Sequence, residues 1–322
     1  MAGGTTSPFF QAKGCKWQRF KFKVAAVPHP KNHYLKSFDG TKICYQTIGD
    51  GKRPMMVLAN GLGGASLTWQ SLYEALADRF RFLCWDYRGL FHSDPPADET
   101  FLKIEDHARD LEVILAKERV DRFLIAGWSM GVQVALEAYR SLGDRMQGMI
   151  LLNGTYGNPF HSAFSSPLSK LILPRLNELM QKIGPTLQSA VRPLLGRVIK
   201  WQDVAMRLRQ LGLTAQTFDS GLFEKIAKGF ATLDLRLYHE IMKHLSEHSA
   251  EDMLPQLKVP VLILAGDADV LTPPAVTDVM MKKIPQAELF IIPRGTHFAL
   301  LEYPEIITMR VNKWLQDRCP DV

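Results

Sequence analysis

Six short apolar runs, each bounded by turn residues, recur along the chain, and their alternation with helical patterns constrains the fold more than any other feature. They are Met55-Met56-Val57-Leu58-Ala59, Phe82-Leu83-Cys84-Trp85, Phe123-Leu124-Ile125-Ala126, Met149-Ile150-Leu151-Leu152, Val261-Leu262-Ile263-Leu264-Ala265 and Leu289-Phe290-Ile291-Ile292. Uninterrupted runs of this length suit strands covered on both faces, as in a parallel sheet. Between them, residues 66–77 carry Leu67, Leu72 and Leu76, residues 104–116 mix apolar positions with charges, and residues 132–142 follow the third run directly. This order predicts an α/β fold: a mostly parallel central sheet with helices on both faces. Ahead of it, Ser37 to Tyr45 reads as a hairpin with Asp39-Gly40 at its turn.

The alternation stops after Leu152. Residues 156–254 hold helical stretches broken at Pro174, Gly184-Pro185, Pro193, Gly212 and Gly229. Leu176, Leu179, Met180 and Ile183 fall on one helix face, as do Val204, Leu208 and Leu211. The reading is a helical cap inserted between two strands. It divides the chain into an N-terminal extension (1–35), a core (36–155 and 255–322) and a cap (156–254). Net charge is +6, from 39 Lys+Arg against 33 Asp+Glu, and residues 157–250 carry twelve basic against seven acidic residues, so most of the surplus sits in the insertion. The extension adds Arg19-Phe20-Lys21-Phe22-Lys23, alternating charge and aromatic. A solvated helical face and a loose tail or edge strand are the plainer readings; weak contact with an anionic membrane surface is the alternative. So mild an excess does not argue for nucleic acid as a partner.

No stretch of eighteen apolar residues is present, and the N-terminus lacks the apolar region of a secretory signal. Cys15, Cys44, Cys84 and Cys319 are widely spaced. The expectation is a cytoplasmic protein with reduced thiols.

Chemistry enters at Gly127-Trp128-Ser129-Met130-Gly131, where the third apolar run meets a helical pattern. G-x-S-x-G between strand and helix is a nucleophile elbow: the turn is too tight for side chains at the glycines, and it raises the serine hydroxyl over the end of the sheet, at a helix N-terminus. A serine hydroxyl needs a base within reach and a group orienting that base. His297 lies in the loop after the last apolar run, on the same sheet edge as Ser129. The orienting carboxylate should leave a strand there too. The loop after Leu152 has no carboxylate, whereas the loop after Ala265 has Asp267 and Asp269; Asp269 is the choice and Asp267 the alternative. His239, His244 and His248 lie in the insertion without an H-E-x-x-H motif, so no metal site is expected there.

The order Ser129, Asp269, His297 resembles that of the α/β-hydrolases, and the resemblance runs from about residue 36 to 317. It is carried by the Asp39-Gly40 hairpin, the glycine-rich turn at Gly61-Leu62-Gly63-Gly64, Asp86-Tyr87-Arg88-Gly89 with Ser93-Asp94, the elbow, Gly266-Asp267-Ala268-Asp269 with Thr272-Pro273, and Gly295-Thr296-His297. It implies an oxyanion hole built from the backbone N–H groups of Leu62 and Met130. Two departures stand out. Asn60 replaces the family's usual His before the turn, and Phe91 stands where the family tends to have Gly. The activity implied is hydrolysis of a small-molecule carboxylic ester through an acyl-enzyme, without metal or cofactor. Trp128, Phe91 and Phe298 are expected to line an apolar pocket suited to medium or longer acyl chains.

Other readings use the same residues. Thioester, lactone or carbon–carbon bond hydrolysis would need the same three side chains. A catalytically silent binding protein on this fold is a different class. A dinucleotide-binding reading of Gly61-Leu62-Gly63-Gly64-Ala65-Ser66 with Asp86 fails at Ser66, where Gly or Ala is required.

Overall fold

The structure is a computed structural model that describes residues 29–49, 51–159, 206, 214–215, 220–320 and 322. The Arg19–Lys23 segment and the two apolar faces of residues 176–183 and 204–211 lie outside the described residues.

Eight strands form one sheet. They are β1 (Lys31–Lys36), β2 (Lys42–Ile48), β3 (Met55–Ala59), β4 (Arg81–Trp85), β5 (Phe123–Trp128), β6 (Met146–Leu152), β7 (Val261–Gly266) and β8 (Ala287–Ile292). The order across the sheet is β1-β2-β4-β3-β5-β6-β7-β8. The first two pairings, β1 with β2 and β2 with β4, are antiparallel; all others are parallel. The chain therefore has the expected α/β architecture. Among the described residues the α-helices are α1 (Gln70–Leu76), α2 (Ile104–Lys117), α3 (Met130–Leu142), α4 (Ser220–Phe230), α5 (Leu235–Glu247), α6 (Pro274–Lys283), α7 (Ala299–Glu302) and α8 (Pro304–Arg318).

The pleat of each strand sends alternate side chains to opposite faces. Along β3, Met55, Val57 and Ala59 join one apolar layer, with Leu111 and Ile114 of α2, Val134 and Leu136 of α3, and Leu237 and Ile241 of α5. Met56 and Leu58 join the other, with Leu72 and Leu76 of α1 and Ile307, Val311 and Trp314 of α8. Covering both faces is what turns an alternating strand into a continuous apolar run.

Two strands depart from the sequence reading. β8 is an edge strand, only partly buried along most of its length, with Ile291 exposed. Its apolar run is covered on fewer sides than the central strands. β1 starts ahead of residue 36, pairs with β2 over its whole length, and alternates exposed with half-buried side chains, so it has no apolar run to find.

Candidate active site

Six loops leave the carboxyl ends of the parallel strands on one edge, where ligands bind in open α/β sheets. The turn after β5 carries Ser129, between strand and α3. A Cβ on Gly127 would come within 2.3 Å of the Gly131 carbonyl oxygen, and one on Gly131 within 2.0 Å of the Ala59 oxygen, so neither position admits a side chain. Ser129 itself has φ 55° and ψ −118°, a strained conformation for a residue with a Cβ. Its backbone N–H donates to Leu152 O at 3.0 Å, and Val132 N–H donates to Ser129 O, which pins the turn between β6 and α3.

The structure brings Ser129, His297 and Asp269 into one hydrogen-bonded line. Ser129 Oγ is 2.8 Å from His297 Nε2, and His297 Nδ1 is 3.0 Å from Asp269 Oδ2. The Nδ1 proton donates to the carboxylate, which leaves Nε2 free to accept from the serine hydroxyl. Asp269 is buried and richly bonded. Oδ1 accepts from the N–H groups of Leu271 and Thr272, and Oδ2 from Thr272 Oγ1 at 2.7 Å and Asn153 Nδ2 at 2.8 Å. Burial works to raise the Asp269 carboxyl, but the bonds from His297 and Thr272 outweigh it and hold the group below the ordinary carboxylate range. Asp267, the alternative acid, is exposed and accepts instead from Arg294 N–H.

Two residues that hold this line escape sequence reasoning. Asn153, 2% exposed, follows β6 in the loop that lacks a carboxylate. Its amide nitrogen donates to Asp269 Oδ2 and to Thr296 O, so it ties the acid to the backbone just before His297. Glu302, also buried, accepts from Thr296 N–H at 2.9 Å and from Thr296 Oγ1 at 2.6 Å. A search restricted to carboxylates at strand ends passes over an amide; asking which buried polar side chain follows each strand would have found Asn153.

The turn after β3 holds Leu62. The backbone N–H groups of Leu62 and Met130 have no acceptor among the described residues. Asn60 replaces the family's histidine with a different set of bonds. Its Oδ1 accepts from Trp69 Nε1 at 3.0 Å, its Nδ2 donates to Trp85 O at 3.0 Å, and its own carbonyl accepts from Tyr87 Oη at 2.8 Å. Trp128 is buried beneath this turn: a Cβ on Gly61 would sit 2.8 Å from its ring, and Trp128 Nε1 donates to His297 O. Phe298 lies beside Trp128 and His297 and, with Leu222, Phe223 and Ile226, packs against buried Leu301. Phe91 adopts φ 51°, the left-handed region a glycine would occupy freely, and its ring reaches toward Gly229 of α4. Trp128 and Phe298 thus lie beside His297, with Trp128 serving as a brace for both the turn and the histidine loop, whereas Phe91 packs toward Gly229.

Fold and site together define a class, and comparison with known proteins agrees. A family model of the alpha/beta hydrolase fold matches residues 54–304, and the chain belongs to that family, as an enzyme of the hydrolase type. Among curated relatives, it is 27% identical over 272 residues to a pimeloyl-[acyl-carrier protein] methyl ester esterase of Nitrosomonas europaea, covering 81% of this chain and 94% of that one. It is 23% identical over 307 residues to epoxide hydrolase 3 of Xenopus tropicalis, covering 91% and 79%. Among solved structures, an esterase of Exiguobacterium antarcticum superposes with a TM-score of 0.71 at 19% identity, covering 89% of this chain and all of that one.

No helix among the described residues is long and apolar enough to cross a membrane.

Proposed function

We propose that the protein is a serine hydrolase that cleaves carboxylic esters of medium or longer acyl chains through an acyl-enzyme. The observation that carries this reading is the unbroken line from Ser129 Oγ through His297 to Asp269, with 2.8 and 3.0 Å links.

Ser129 Oγ attacks the ester carbonyl carbon while His297 Nε2 takes its proton. Asp269 holds the ring in the tautomer that leaves Nε2 free and stabilises the imidazolium that forms. The carbonyl oxygen becomes an oxyanion received by the N–H groups of Leu62 and Met130; loss of one such donor typically costs about 3 kcal/mol of transition-state stabilisation. His297 returns the proton to the leaving alkoxide, and the alcohol departs. Water then attacks the acyl-enzyme with the same base, frees the acid and restores Ser129.

The ester reading draws on Ser129 as nucleophile, where an aspartate would suit epoxide or haloalkane chemistry. It is also supported by the esterase among the curated relatives. The acyl preference draws on the apolar side chains, Phe298 among them, grouped around Leu301. Residues 156–254 act in this proposal as a cap over the serine edge.

A fluorophosphonate probe tests the nucleophile. It should label the wild-type protein and leave Ser129→Ala unlabelled. Labelling that persists in Ser129→Ala refutes the assignment. Chromogenic esters of graded chain length test the pocket: kcat/KM should rise from acetyl to octanoyl, and activity confined to acetyl esters would remove the chain-length preference while leaving the nucleophile intact.

A further inference from the structure

Away from Ser129, a second group of chemistry-bearing side chains meets where β4 ends. Cys44 of β2, Asp86 just after β4, and His92 in the following loop each present one ligand atom, all within 4.8 Å of one another. His92 Nδ1 is 3.0 Å from Asp86 Oδ2, and the His92 backbone N–H donates to the same oxygen. Cys44 and Asp86 are almost fully buried, whereas the His92 side chain is 61% exposed and supplies a path from solvent.

Asp86 accepts from His92 and Gln46, and Tyr34 bonds the Cys44 thiol, so the unsatisfied member of the neighbourhood is Gln46. Gln46, 4% exposed, aims its amide nitrogen into the group at 3.5 Å from both Cys44 Sγ and Asp86 Oδ1, the outer limit of a hydrogen bond. Its Oε1 is buried without a partner among the described residues. A loop held merely by an aspartate–histidine contact accounts for Asp86 and His92 but not for a buried amide, long-bonded through its nitrogen to the thiol and carboxylate, whose oxygen has no partner there.

From this geometry we infer that Cys44, Asp86 and His92 form a seat for a divalent ion of the zinc class. One sulfur, one nitrogen and one carboxylate oxygen match zinc, cobalt or cadmium and not magnesium or calcium, which take oxygen ligands. Metal–ligand lengths of about 2.0–2.3 Å place tetrahedral ligands roughly 3.3–3.8 Å apart, so the group closes by about an ångström, a movement open to the exposed His92. Rotation of the Gln46 amide brings Oε1 to the fourth position; a water entering past His92 is the other way to fill it. Binding replaces the Cys44 S–H bond with a sulfur–metal bond and releases that proton to solvent, with no change in oxidation state.

The seat is mechanically connected to the insertion. Phe91, adjacent to His92, reaches Gly229 of α4, and a Cβ on Gly89 would press 2.9 Å from Leu237 of α5. An ion that fixes residues 86–92 therefore stiffens the loop on which α4 and α5 rest. This inference is independent of the reaction proposed at Ser129.

Titration of chelator-stripped full-length protein with Zn²⁺ and, separately, Cd²⁺ tests it. The expected result is one ion per chain at micromolar affinity by calorimetry, a cadmium–thiolate charge-transfer band in the ultraviolet, a higher melting temperature with Zn²⁺, and no response to Mg²⁺. Cys44→Ser should abolish the band, and His92→Ala should weaken binding about 10-fold or more, in the range seen when a site loses a supporting group. If Cys44→Ser melts below the wild type without metal, His92→Ala, at an exposed side chain, decides alone. No zinc binding by the wild type at 100-fold molar excess, or affinity unchanged in His92→Ala, overturns the inference.

Discussion

Asn153 holds a left-handed φ of 44°, which asparagine tolerates better than other side chains, and from that strained position it reaches both Asp269 and Thr296 O. The same carboxylate oxygen serves His297, so Asn153 fixes the direction from which the imidazole is oriented. Asn153→Ala removes one donor from a buried carboxylate and one partner from a buried carbonyl. At about 1–3 kcal/mol for an unsatisfied buried group, fluorophosphonate labelling should slow by roughly 10-fold or more with the fold kept. Asn153→Asp keeps the shape but sets two carboxylates against each other, which raises the affinity of one for a proton. Labelling by that variant should be slower than by Asn153→Ala near neutral pH. Equal rates for all three proteins would mean Asn153 positions nothing. Legibility at this scale followed chemical type. Ser129 could be read because G-x-S-x-G is a steric necessity of the turn, and His297 and Asp269 because each stands just past an apolar run. Asn153 and Glu302 could not, because an amide after β6 and an acid in a four-residue helix gain their roles only from partners distant in sequence: Asp269 for the first, and for the second Ala215 N–H, which donates to Glu302 at 2.7 Å.

Among the elements, α3 does more than carry Ser129 at its start. Gln133, fully buried one turn on, donates from Nε2 to Gly157 O at 2.7 Å, just past β6. Its Oε1 faces His248 Nδ1 at 2.7 Å, at the end of α5. His248 Nε2 in turn lies 3.1 Å from Glu137 Oε2, and Glu137 also accepts from Arg140, which pairs with Asp252. One helix thus grips the chain where it leaves the sheet after β6 and where it returns toward β7. Gln133→Leu severs both grips and leaves a buried carbonyl and an imidazole nitrogen without partners, at a cost of about 2–5 kcal/mol. The expected result is a lower melting temperature and faster tryptic cleavage. Gln133→Glu, which keeps an acceptor for His248 but loses the donor to Gly157, should fall between. Cleavage at the wild-type rate in both variants would show that α3 does not secure the insertion. The sequence disclosed the strands that α3 packs against because burial on both faces leaves an unbroken apolar run. It did not disclose these grips, since an interior glutamine on an amphipathic helix has no pattern of its own; nor did it disclose β1, whose side chains alternate with solvent.

Across the whole molecule, acid tolerance rests on a buried histidine that the proposed reaction does not use. His107 of α2 is fully buried, its ring 4.7 Å from that of Tyr87, and neither ring nitrogen has a partner among the described residues. Burial, reinforced by the charge of Arg88 and by His244 of α5, lowers its proton affinity from 6.5 to about 3. The native state therefore keeps His107 neutral while the unfolded chain protonates it near its ordinary value. Above about pH 6.5 neither state binds the proton and the group adds no pH dependence. As pH falls below that value the unfolded state alone takes up the proton, so stability is lost progressively down to about pH 3, at up to about 1.4 kcal/mol per pH unit. Asp269, held below the ordinary carboxylate range, withdraws its contribution only as pH falls below about 4. Between pH 6.5 and 4.5 His107 withdraws stability, while the Asp110 carboxyl, which burial pushes up to about 6 against its bonds from Arg88 and Ser37, is protonated first in the native state and offsets part of that loss. His107→Phe keeps an aromatic ring against Tyr87 and removes the proton acceptor. From pH 7 to pH 4.5 the urea midpoint should fall further in the wild type than in the variant, the difference being the His107 contribution alone. Equal drops would place the acid sensitivity elsewhere, since the group singled out here would then gain no proton on unfolding.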